Sequence, residues 1–191
     1  KYALDQFFNN TKVETNKTLF LFNAIQKDGF FQHPYLHWSP RRIILKEASE
    51  ETIHEKSLRT TYVSDLYKFN IQIYLDCNVI NDSVSYLTAV IFDQYNSFYH
   101  MKHNNNTNKF VNIYFDLFEV YRRKLHKQIQ GLSFEKAEER YEMINTELSK
   151  VLSKFLKEVD LGYKNVALKN WSQYVMQELE IDNYSSQQSH K

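Results

Sequence analysis

The chain of 191 residues is long enough for one domain with a sizeable core. Its charges nearly cancel, 24 basic against 23 acidic for a net of +1, which excludes the basic field that drives nucleic-acid binding. Three glycines and two prolines are too few for Gly-rich cofactor loops or for most sheet architectures, and one cysteine, Cys77, excludes an intramolecular disulfide and a cysteine zinc site.

This composition favours long helices. Aromatics reach 16%, almost all Phe and Tyr, and predict a core of rings with Tyr hydroxyls at its rim. No apolar run approaches the ~18 residues of a membrane span.

Taken in order, Tyr2, Leu4, Phe7 and Phe8 suit a short docking helix. Thr15 to Lys27 is a fuller one, with a stop at Asp28-Gly29. Residues 30–40, FFQHPYLHWSP, hold both prolines and are irregular but rich in rings, so they are expected to lie along the bundle. Ser39-Pro40 reads as a helix start, with Ser as N-cap and Pro at the first position. The helix it opens carries Ile43, Ile44, Leu45 and Ala48, then a charged patch.

Leu58 to Leu75 carries two patterns. Leu58, Tyr62, Leu66, Phe69 and Ile73 make a helical seam, whereas Tyr67, Phe69, Ile71 and Ile73 alternate with polar residues as a strand does. The run 84–92, VSYLTAVIF, is a possible strand partner. A two-stranded ribbon is marginal by itself, so both segments are assigned to helices, the second from Asp82 or Ser83 to about His103.

Phe110 to Ile129 is the central helix. Its apolar residues sweep over half the circumference, leaving a polar stripe of Asn112, Asp116, Glu119 and Arg123. Ser133 caps a regular helix whose Phe134, Ala137, Tyr141, Ile144, Leu148, Val151 and Phe155 recur at heptad spacing until Leu161-Gly162. A last helix runs from about Asn165 to Ile181. The expected architecture is all-α: one domain over 1–181, a bundle of about six to seven helices around the central one, with 182–191 as a disordered tail. The alternative is α+β, with a short hairpin in 67–92.

No motif names an activity. Glu51 and His54 have the E-x-x-H spacing of di-iron bundles, but no second unit exists. His100 and His103, with Asp116 and Glu119, form a polar cluster that solvated faces explain as well as a metal does. Asp76 beside Cys77 raises rather than lowers a thiol pKa, against a nucleophile. Neither catalytic residue, metal nor cofactor is therefore assigned. The ring-rich loop (Phe30, Phe31, Tyr35, Trp38) and the basic Arg122-Arg123-Lys124 are the candidate binding surface.

The expected function is a non-catalytic helical domain that binds another protein or itself, with the heptad seam as one route to a homodimer. A small-molecule binder or enzyme with an aromatic-lined cavity is the alternative. Asn-x-Ser/Thr occurs at Asn9, Asn16, Asn81, Asn105, Asn170 and Asn183, against about two expected by chance, and leaves a secreted glycoprotein as a third reading. An Asn-rich composition explains the excess more simply, so the expected location is intracellular.

Overall fold

The alternation in Tyr67–Ile73 prevails over the helical seam that crosses it. The computed structural model describes residues 35–45, 66–80 and 83–185. Within it Tyr67–Ile80 (β2) and Ser83–Tyr99 (β3) are strands, paired antiparallel from Tyr67↔Tyr99 to Ile80↔Ser83. Tyr35–His37 (β1) pairs antiparallel with the other edge of β3, giving the order β1-β3-β2. The fold is α+β. The expected all-α bundle of six to seven helices is incorrect, and so is the helix from 82 to 103.

The physical reason lies in what covers the ribbon. Two strands alone are marginal, but a third strand and a helical layer change the balance. Ile71 and Ile73 of β2 and Tyr86, Val90 and Phe92 of β3 point to one face and join the main core. Dense β-branched and aromatic residues in 84–92 suit that pleated, half-buried surface.

The helical layer matches the sequence reading closely. It consists of Thr107–Ile129 (α1), Phe134–Val159 (α2) and Asn165–Leu179 (α3), with a 3-10 turn at Asp160–Gly162. The N-cap of α1 falls at Asn106. Helix α1 packs on the sheet, on α2 and on α3, which is why its apolar arc is so wide. The heptad residues Ala137, Ile144, Leu148 and Phe155 are buried in this same core. These four seam positions are thus filled from within the chain, while Phe134 at its start is exposed.

Among the described residues the buried core is mainly aliphatic rather than made of rings, with an aromatic cluster within it. Phe110 and Phe155 stack at 5.6 Å, and Trp171 meets Phe155 edge-on at 5.5 Å. Tyr hydroxyls reach out from it: Tyr86 donates to the Leu132 carbonyl at 2.9 Å and Tyr141 to that of Ile73 at 2.9 Å. Gly162 closes the turn after α2 at φ +89°, and a Cβ there would lie 3.3 Å from the Asn106 side chain, so both conformation and space call for glycine.

The helix expected from Ser39-Pro40 does not form over the described 39–45. This segment turns at Pro40-Arg41 and runs as an extended strap along α1. The expected helices within 1–27, the Glu51/His54 pair and residues 186–191 of the expected tail lie outside the described residues.

Candidate functional site

The polar stripe of α1 does not face water. It is the track that holds the strap. Asn112 accepts from the Ile43 amide through Oδ1 at 2.7 Å and donates to the Ile43 carbonyl through Nδ2 at 2.8 Å. That pair of bonds copies what a neighbouring strand would give. One turn earlier, Asn108 Oδ1 accepts from the Leu45 amide at 3.0 Å.

Asp116 sits at the centre, with 0% of its surface exposed. Its carboxylate accepts from Trp38 Nε1 at 2.8 Å, from Arg42 at 2.8 and 3.0 Å, and from Asn183 Nδ2 at 2.8 Å. Arg42 also donates to the Ser39 and Pro40 carbonyls, so one guanidinium both closes the turn and neutralises the buried charge. Asn183 belongs to the stretch expected as tail, yet it is buried here. A glycan on its Nδ2 has no room beside Asp116 in this fold.

Glu119 forms a second buried centre. Arg122 grips it with two bonds of 2.7 and 2.8 Å, and Arg123 adds a third at 2.9 Å. Arg122 donates in addition to Thr88 Oγ1 of β3 at 2.9 Å, tying helix to sheet. Arg123 lies 5.5 Å from the Trp38 ring centroid, and Lys124 lies 4.3 Å from that of Tyr121. The basic cluster is therefore engaged within the chain.

The four candidate polar residues fall into two places. Asp116 lies under the strap, and Glu119 lies about one turn further along α1. His100 stacks on Phe98 and His103 meets Tyr99 edge-on, near the start of α1. From Thr107 to Asp116 the helix rises roughly 14 Å at 1.5 Å per residue, so the histidines do not join the carboxylates. Among the described residues no three His, Cys, Asp or Glu side chains are grouped closely enough to hold a metal. Tyr35 is half-buried against Ala89 and Ile91, while Phe30 and Phe31 lie outside the described residues. The Cys77 thiol is pushed up by burial and by Asp76, as its sequence neighbour implied.

What the sequence reading missed is a cleft of about 400 Å³ between strap and sheet. Ile43, Ile44 and Leu45 line it from the strap, and Phe69, Phe92, Phe98 and Tyr99 from the sheet. Gln94 and Ser97 supply its polar groups, and among the described residues no charged side chain lines it. Its rim is built by an excursion of β3 between Asp93 and Phe98, opposite Asn70 and Lys68. Burial opposes the Asp93 charge, but hydrogen bonds from Asn96, the Tyr95 backbone and Asn70 outweigh it and hold the carboxyl below its usual range. That anchored turn presents Tyr95 83% exposed, while Ile44 on the strap is 67% exposed. The signal for this site was the ring alternation at Tyr67 and Phe69.

A more open groove between α2 and α3 contains Trp171 and Tyr174. There Trp171 Nε1 already donates to Glu158 at 2.9 Å, and Lys154 stands 5.9 Å from the Trp171 ring centroid.

His37, beside Trp38, supplies a pH test of the β1 end of this assembly. Burial lowers its pKa from 6.5 to about 4. The fold thus holds it neutral while the unfolded chain binds a proton below about 6.5. The resulting stabilisation is complete above that pH and fades as pH falls to about 4, a difference of roughly 3 kcal/mol. Urea denaturation at several pH values should show that decline in the wild type and a smaller one in His37→Gln.

No family model, no curated protein and no solved structure matches the chain. Among the described residues no helix is long and apolar enough to cross a membrane.

Proposed function

We propose that the chain is a non-catalytic binding domain whose strap–sheet cleft receives an apolar side chain of a protein partner. The observation that carries the reading is the cleft's ring-lined wall, uncharged among the described residues, with two large apolar residues exposed at or beside its rim. Protein interfaces place their energy in such anchors, where an aromatic or aliphatic group fills a desolvated pocket. The two buried carboxylates of α1 are engaged otherwise: Asp116 and Glu119 both neutralise arginines, and Asp116 also holds the strap through Arg42. Asp116 acts with Asn112 as scaffold for the cleft wall, since these two fix the backbone on which Ile43 to Leu45 stand.

An environment-sensitive apolar dye provides the test. Native wild-type protein should enhance its fluorescence. Gln94→Trp, which fills the mouth from an exposed position, and Ile44→Asp, which charges the rim, should each weaken dye binding by about tenfold, or 1.4 kcal/mol, with the fold intact by circular dichroism. Unchanged dye binding in both variants would contradict the cleft.

A further inference from the structure

We propose that β2 pairs edge to edge with β2 of a second copy of this chain, antiparallel and centred on Gln72. Among the described residues β2 is the terminal strand of the order β1-β3-β2 and runs for 14 residues. The direction of its backbone groups follows from one bond. Trp38 donates to the Val90 carbonyl, so Val90 turns its backbone towards β1. Val90 is opposite Ile73 in β2, so the Ile73 amide and carbonyl face away from β3. By alternation the same holds for Phe69, Ile71, Leu75 and Cys77. At this edge Tyr141 donates to the Ile73 carbonyl, and Asp76 Oδ1 accepts from the Cys77 amide at 2.9 Å. A carbonyl has two acceptor sites, so Ile73 can take a second donor.

A long edge of this kind is a template for another strand. Charge selects the occupant and the register. On the face away from α1, β2 carries Lys68, Asn70, Gln72, Tyr74 and Asp76 in alternation. A two-fold axis at Gln72 sets Lys68 against Asp76 of the second copy, Asn70 against Tyr74, and Gln72 against itself. On the helix side it sets Ile71 against Ile73 and Phe69 against Leu75. Shifting the axis to residue 71, 73 or 74 loses the Lys–Asp pairing. Edge lysines usually discourage association, but in this register Lys68 meets an opposite charge twice per dimer. Residues 69 to 75 would then exchange about eight backbone hydrogen bonds. The contact is narrow, so the dimer should be weak, roughly micromolar.

Sedimentation equilibrium from about 1 to 200 µM tests association, and a cysteine on the axis tests the register. Gln72 has its backbone turned towards β3, which makes Gln72–Gln72 a non-hydrogen-bonded pair with Cα atoms ~4.5 Å apart, within disulfide range. In a Cys77→Ser background, Gln72→Cys should oxidise to a covalent dimer. Asn70→Cys should not, because its own copies lie ~14 Å apart along the strand. Lys68→Asp should raise the dimer Kd by about tenfold, and Lys68→Asp with Asp76→Lys should restore it. A monomer throughout the concentration range would overturn the proposal. So would a dimer that ignores Lys68→Asp, or one in which the Gln72→Cys variant fails to cross-link.

Discussion

Asp116→Ala should destabilise the domain by about 3–5 kcal/mol, the usual cost of breaking a fully buried ion pair. The carboxylate is wholly buried and receives donors from Trp38, Arg42 and Asn183. Its loss leaves the Arg42 guanidinium, 15% exposed, without a counter-charge. Arg42→Met should cost a similar amount, because it strands the carboxylate instead. The double variant Asp116→Leu with Arg42→Met should lose much less than the sum, since neither charge is then left alone. Urea denaturation of the four proteins measures this coupling. Additive losses would mean that the two side chains act independently. The same loss should reach the binding site. With Asp116 gone the strap is held by Asn112 and Asn108 alone among these bonds, so the apolar dye should bind more weakly at a site that contains neither Asp116 nor Arg42.

Phe155→Ala should remove about 3–5 kcal/mol through a different mechanism, an unfilled cavity in the helical layer. Phe155 is fully buried at the meeting of α1, α2 and α3, stacked on Phe110 and edge-on to Trp171. Three helices converge on this ring, so collapse around the void is restricted. Phe155→Leu should recover more than half of the loss by restoring most of the apolar volume. Denaturant midpoints at constant slope would establish that stability, rather than the compactness of the unfolded state, has changed. The β-hairpin should keep its pairing in both variants, because its contacts with α1 do not pass through Phe155.

The helices were legible because their signals are local. Ser133 before an alternating 3–4 pattern, and Leu161-Gly162 after it, define α2 within the chain's own sequence. The hairpin was not, because Tyr67 to Ile73 alternates as a strand while Phe69 and Ile73 also continue a helical seam from Leu58, and the third strand and helical layer that stabilise the sheet are encoded elsewhere. Trp38 to Leu45 shows the same limit. Ser39-Pro40 carries a good helix-start signal, but Asn108, Asn112 and Asp116, about 70 residues later, offer this backbone better partners as an extended strap. The polar stripe of α1 was visible as a stripe. That it faces protein rather than water depends on Arg42 and Asn183, whose positions no spacing rule supplies. The cleft follows from those two misreadings, since its two walls are the strap and the hairpin.

In the proposed function this domain binds through its apolar cleft and uses buried Asp116 as scaffold. Selection of a random peptide library on the folded protein tests it most directly. Enriched peptides should share a large apolar anchor, perturb the Ile44 and Phe98 signals in NMR titration, and lose binding to Gln94→Trp. Enriched peptides that bind Gln94→Trp and Ile44→Asp undiminished, and perturb residues elsewhere, would contradict it.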